Sequence, residues 1–188
     1  MPELELLSFS TLKETFSLDG AYSVGYAFLY GMSIWVSFFG GVIAYKSLPR
    51  QQFGALQHRT FPVYFFNSIV ISGGLLALWT RSHPHVLNHL ANPLVADVAQ
   101  AYILAFVSLA QAGNYFVIGP MTSKCMFKRH QQEKKEGKAY SDAGVSDEMK
   151  ALNKQFGALH GVSSLFNLFA TIALTFHGLW IGSKGIKA

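Results

Sequence analysis

The sequence predicts an all-α, polytopic membrane protein whose four transmembrane helices form two helical hairpins. Three observations predict it. Hydrophobic residues make up 51% of the 188 positions and charged residues only 13%, about half the charged share of a soluble domain. The charges are also segregated, leaving apolar spans at roughly 21–45, 61–79, 94–118 and 160–181. Each span is long enough, because a helix rises about 1.5 Å per residue and the hydrocarbon core is about 30 Å thick. Asp97 is the one Lys, Arg, Asp or Glu inside them. Backbone groups in lipid must bond within their own segment, so spans of this length are helices.

Residues 1–20 form a polar segment, with Glu3, Glu5, Glu14 and Asp19 set against Lys13. That pattern fits neither a signal peptide nor a matrix presequence. Leu4, Leu7, Leu12 and Phe16 have the spacing of a short interfacial helix. The transmembrane domain follows over 21–182. Its second helix should start at Pro49, a residue tolerated in a first turn. Pro62 should then free the His58 carbonyl and kink that helix. A mixed-charge cytosolic loop is expected over 121–146, mobile around Gly137–Gly144. Met149, Leu152, Phe156 and Leu159 keep helical spacing, so the fourth helix should begin near Asp147 with Ser146 as its N-cap. From Asp147 to Ile181 is 35 residues, about 52 Å of helix. Helices two and four are therefore expected to extend into the cytosol, and 183–188 is a tail.

Eleven of the 15 Lys and Arg residues fall in the segments after the first and third spans. The positive-inside rule puts both segments in the cytosol and both termini on the other side. The net charge of +5 and the pI near 9.3 point to topology and not to nucleic acid, since no aromatic residues interleave the basic ones. The expected partner is the lipid bilayer. Cys125, the single cysteine, excludes an internal disulfide. The chain also repeats itself: Gln52-Phe53-Gly54-Ala55-Leu56 returns as Gln155-Phe156-Gly157-Ala158-Leu159. Each copy is followed by a histidine (His58, His160) and then an asparagine (Asn67, Asn167). The pattern predicts a duplicated hairpin, with Gly54 and Gly157 letting helices two and four cross closely.

Several motifs together resemble a known family. They are Trp35-Val36-Ser37-Phe38, Ser47-Leu48-Pro49-Arg50, Phe53-Gly54, Gln57 and Phe61-Pro62-Val63-Tyr64-Phe65, then Asn114 and Pro120. Phe156, His160-Gly161, Ser163-Ser164-Leu165 and Asn167-Leu168 complete the set. Over residues 24 to 182 the chain resembles the transmembrane protein 205 family, four-span membrane proteins of DUF4149 type. The resemblance implies residence in the endoplasmic reticulum or another endomembrane, with the mitochondrial outer membrane as alternative. It implies no enzymatic activity and no cofactor. Drug export has been attributed to animal members, so it implies a transport component. The acidic N-terminus and the histidine-rich second loop depart from the family pattern.

The residues themselves support a polar stripe. His160, Ser164, Asn167, Thr171 and Thr175 are spaced four, three, four and four along the fourth span. With Asn67, Ser68 and Ser72 on the second helix and Ser108, Gln111 and Asn114 on the third, they either line a solute path or hydrogen-bond the helices together. A path through four helices would require a homo-oligomer. The competing reading is a scaffold that binds partners through its FGAL segments and basic loop. His85 and His89, one turn apart and close to His83, are weak metal candidates. Met121, Cys125 and Met126 offer soft ligands at the end of the third span. No nucleophile elbow, metalloprotease motif, phosphate loop or paired carboxylate is present, so catalysis is not expected.

Overall fold

The computed structural model describes residues 6–186, and within them every regular element is helical. Glu3, Leu4 and Glu5 of the sequence analysis, and the last two positions of the 183–188 tail, lie outside the described residues. A short helix α1 (Phe9–Thr15) is capped by Ser8, whose hydroxyl accepts from the Thr11 N–H. Ser17 caps α2 (Leu18–Ile34) in the same way through Gly20. This first span continues through one π-helical turn, Trp35–Gly40, into α3 (Gly41–Ser47). At Gly40 a Cβ would lie 2.8 Å from the Trp35 indole nitrogen, so a larger residue there would displace that ring.

The second span is the single helix α4 (Arg50–Ser82). Pro49 stands at its N-cap with an extended ψ of 143°, so helical geometry begins one residue later than expected. Pro62 is absorbed within α4, which runs unbroken past it. A single turn α5 (His85–Asn88) fills the next connection. The third span joins α6 (Ala96–Gly113), a π-helical turn Asn114–Ile118 and α7 (Gly119–Glu136) into one rod of 41 residues. The fourth is α8 (Asp147–Lys184). Among the described residues, four helices are thus long and apolar enough to cross a bilayer.

One expectation is corrected here. Residues 121–136 are helix and not loop, so the connection is confined to 137–146. The charges in this stretch ride on an amphipathic helix whose buried positions Cys125, Arg129, Gln132 and Glu133 are spaced four, three and one. That periodicity seats α7 against α8 and outweighs the loop-like composition. Gly137 ends the helix with a positive φ of 63°, a conformation that favours glycine. The start of the fourth helix is as expected: Ser146 is the N-cap and accepts from the Met149 N–H, with Asp147 and Glu148 in the first turn.

The helices surround one core in sequence order, α2 against α4, α4 against α6, α6 against α8, and α8 back against α2. Its centre is Tyr22, Leu29, Leu75, Trp79, Leu104, Val107 and Leu174. The packed positions repeat every seven residues: Gly54, Phe61, Ser68 and Leu75 on α4; Met149, Phe156, Ser163, Ala170 and His177 on α8. Seven is the period of helices packed side by side at a small angle. The duplication is not mirrored in this packing. Gly54 is buried, and a Cβ on it would lie 2.9 Å from the Met126 sulfur and 3.4 Å from the His130 ring. It therefore admits α7. Gly157 has nothing within 4 Å of a built Cβ, so the two glycines do not join helices two and four.

The close approach of α2 to α8 lies elsewhere. A Cβ on Gly178 would collide with the hydroxyl end of Tyr26. That ring stacks on Tyr30 at 5.8 Å, and its hydroxyl donates to the Leu174 carbonyl at 2.9 Å. Gly178→Ala is expected to destabilise by about 1–3 kcal/mol through overpacking. Gly157→Ala should be neutral or stabilising, because it gains helix propensity in open space. Melting curves of both variants in detergent will check the order.

Candidate functional site

Three groups of side chains stand out, one inside the spans, one at the end away from the basic segments and one at the basic end of the bundle. The first centres on Asn167. Its Oδ1 accepts from the Tyr64 hydroxyl at 2.5 Å and from Gln111 Nε2 at 3.1 Å, while its Nδ2 donates to Ser37 Oγ at 2.6 Å. Tyr64 also reaches Ser33 Oγ at 3.2 Å. All four spans thus meet at one asparagine. Nearby, Ser72 and Ser108 pair at 2.7 Å, Asn114 Nδ2 donates to the Ser163 carbonyl at 3.3 Å, and Thr171 donates to the Asn167 carbonyl at 2.9 Å. The polar atoms face one another, which lets them sit in lipid at little cost.

Other stripe residues fall outside this network. His160 and Ser164 are exposed on α8, and His160 stacks on Phe156 at 5.7 Å. Each stands one seven-residue repeat before a buried residue, Asn167 and Thr171, so burial of this face begins only further along α8. Asn67 is half-buried and makes no hydrogen bond within the described residues, unlike its repeat partner Asn167. Sequence reasoning also missed Ser33, Ser37 and Tyr64 as network members. Ser37 and Tyr64 lie within the quoted motifs, which was the available signal.

A second polar cluster, also missed, closes the end away from the basic segments. His177 is fully buried and lies between Tyr22, 2.6 Å from Nε2, and Gln100 Oε1, 2.8 Å from Nδ1. A carbonyl oxygen can only accept, so Nδ1 carries the proton and Nε2 accepts from the tyrosine. His83 is buried and stacks on Trp79 at 4.0 Å, and the Trp79 indole donates to the Asp97 carbonyl at 2.9 Å. His85 Nε2 lies 2.8 Å from Asp97 Oδ2, and His89 Nδ1 2.9 Å from the His85 carbonyl. The two proposed metal ligands therefore point at different partners, and no group of three metal-ligating side chains gathers among the described residues. Cys125 Sγ is buried and donates to the Leu152 carbonyl at 3.5 Å, packing α7 on α8.

The basic end gathers motif residues into a clamp. Arg50 donates to Glu133 Oε1 at 2.5 Å, and its guanidinium sits 3.3 Å from the centre of the Tyr140 ring. Arg129 lies 4.2 Å from the same ring and 4.5 Å from Phe156. The Tyr140 N–H donates to Glu133 at 2.9 Å, and Asn153 Nδ2 donates to the Tyr140 carbonyl at 2.8 Å. One segment, 137–146, is thereby tied to α4, α7 and α8. Of the other motif residues, Phe53 lies edge-on to Tyr45, Gly54 faces Met126, and Phe61 stacks on Phe65. Gln57 Nε2 lies 3.7 Å from a Cβ built on Gly41, Trp35 stacks on Phe39, and Gly161 stands in open space.

The clamp lies past the apolar part of the third span. Burial of Glu133 works against its ionised form, but the Tyr140 N–H and the Arg50 guanidinium outweigh this and hold its carboxyl below the usual value. Hydrogen bonds from Ser146 and Gln132 do the same for Glu136. A carboxyl whose pKa is lowered on folding stabilises above its unfolded value, about 4.3, and loses that contribution as pH falls through the folded value. Melting temperature is accordingly expected to decline below pH about 4, and Glu133→Gln should flatten that decline.

Comparison with known proteins agrees with this architecture. The chain is similar to transmembrane protein 205 of Danio rerio, 26% identical over 169 residues, which cover 82% of this chain and 86% of that protein. No solved structure matches it. Residues 24–131, which carry Trp35, Arg50, Tyr64, Gln111, Asn114 and Arg129, match the family model described as a domain of unknown function, DUF4149. The chain is a multi-pass membrane protein and belongs to the DUF4149 family.

Proposed function

We propose that the chain is a non-catalytic membrane scaffold that meets its partners at the basic end of the bundle. One observation supports this reading: polar groups from the other three spans hydrogen-bond to Asn167, so side chains that a solute path would need are engaged in holding the helices together. The basic end is rigid by comparison with an ordinary loop, since α7 and α8 run on as helices and Arg50, Glu133 and Asn153 tie segment 137–146 to them. By the positive-inside rule this end faces the cytosol and both termini face away. Exposed Leu6, Leu7, Phe9 and Phe16 around α1 suit the surface of the opposite leaflet. The endoplasmic reticulum or another endomembrane is the host, with the mitochondrial outer membrane as the alternative.

A second reading, a solute transporter, is favoured by a different observation. Gln111 Oε1 and Asn114 Oδ1 are buried acceptors without partners, one helical turn apart on the third span. A homo-oligomer or an alternate arrangement would present them to a solute. Purified protein in sealed vesicles separates the two readings. The scaffold predicts uptake of a soft metal ion or small drug no faster than in empty vesicles. Uptake that is faster, and is abolished by Asn167→Leu in folded protein, would establish the transporter.

A further inference from the structure

Arg129 is 5% exposed, its Nε has no hydrogen-bond partner, and no carboxylate pairs with it among the described residues. A buried guanidinium is rarely left so, because removing a charge from water is costly unless hydrogen bonds replace its hydration. The single acid nearby, Glu133, is engaged by Arg50 and by the Tyr140 N–H. Two arginines and one glutamate leave the clamp with one uncompensated positive charge. Arg50 uses one nitrogen on Glu133 and keeps a third of its side chain exposed, so the clamp is accessible from that side.

Depth identifies what can reach it. Phe156, which Arg129 covers, is 14 residues from Ala170, near the middle of the fourth span, about 21 Å along the axis. Asn153, which holds Tyr140, is 17 residues away, about 25 Å. Half a hydrocarbon core is about 15 Å and its headgroups extend it to about 20–22 Å, so the clamp lies at the outer edge of the headgroup layer. Guanidinium forks suit phosphate oxygens, and a phosphodiester carries the one negative charge the clamp lacks. Asn153 Oδ1 is a second buried atom without a partner. It is an acceptor on the residue that holds the Tyr140 carbonyl, and a headgroup hydroxyl would satisfy it.

We propose that Arg129, Arg50 and Tyr140 form a binding site for one phosphate group at headgroup depth, supplied by an anionic, hydroxyl-bearing phospholipid. The proposal goes beyond the scaffold reading and does not depend on it. Native mass spectrometry of the full chain in detergent, given equal amounts of phosphatidylglycerol and phosphatidylcholine with the same acyl chains, tests it. Wild type should retain the anionic lipid about fivefold over the zwitterionic one. Arg129→Gln should bring the ratio to parity, Arg129→Lys should leave it intermediate, and Lys128→Gln, on the neighbouring position of the same helix, should preserve most of it. If Arg129→Gln does not fold, Arg129→Lys, which keeps the charge and loses the fork, carries the comparison. A wild type without preference, or an Arg129 variant equal to Lys128→Gln, overturns the site. Inorganic phosphate, added without lipid, distinguishes the source: a phosphate-induced rise in melting temperature, lost in Arg129→Gln and unaccompanied by lipid preference, would assign the site to a soluble anion and overturn the lipid.

Discussion

Trp79→Ala is expected to destabilise the bundle by about 3–5 kcal/mol, the range for truncating a fully buried large aromatic. Trp79 has no exposed surface and sits where all four spans meet. Its ring lies 6.2 Å from Tyr22, 5.3 Å from His177 and 4.0 Å from His83, and its N–H donates to the Asp97 carbonyl. Removing it opens a cavity beside the Tyr22–His177–Gln100 chain and takes away a hydrogen bond to the third span. Trp35→Ala is the matched comparison, because Trp35 is 58% exposed and meets mainly Phe39. Its loss should change the melting temperature little. Both variants are to be read by thermal unfolding in one detergent, followed by size-exclusion of the surviving fraction. Equal effects would show that the fold does not rest on the closed end.

Asn167→Leu should have the next largest effect, for a different reason. It removes three interhelical hydrogen bonds at once, each worth about 0.6 kcal/mol on average in membrane proteins, so a loss of about 2 kcal/mol is expected. The Tyr64 hydroxyl, Gln111 amide and Ser37 hydroxyl are left without that partner in a medium that offers no water. Asn67→Leu, at the equivalent place in the repeat, should be tolerated, since Asn67 makes no such bond. A drop of similar size for both would mean that Asn67 has an unrecognised partner, such as a second copy of the chain.

These two residues mark the limit of what could be read in the sequence. The four spans were legible because lipid imposes length and apolarity on any helix that crosses it. The Ser146 cap was legible because a cap is a local arrangement of four residues. The helix over 121–136 was not, because its charges suggested a solvated loop and the spacing of Cys125, Arg129 and Gln132 needed α8 to give it meaning. Asn167 lies at the centre of the hydrogen-bonded network, while His160 and Ser164, on the same helix face, are exposed. Where along that face the other spans close over α8 is a matter of tertiary packing, which helical spacing does not encode. The Tyr22–His177 pair joins positions 155 residues apart and has no local signature. The clamp was visible only in pieces: Arg50 and Phe156 as motif residues, Arg129 and Tyr140 as members of a loop.

The unbroken length of α8 has a mechanical consequence. Its 38 residues make a rod of about 57 Å, and its first residue, Asp147, lies 23 residues from Ala170, near the middle of its apolar stretch, or about 35 Å. A rigid rod pivoting about the bilayer centre acts as a lever. A tilt change of only 10° would sweep that tip through about 6 Å, and helices do tilt to match the thickness of their host membrane. Because Tyr140, Arg50 and Glu133 fasten segment 137–146 to three of the rods, their tips must swing together. Thickness of the lipid sheet is thus converted into position of the basic face, and a partner seated there would feel which membrane the protein occupies.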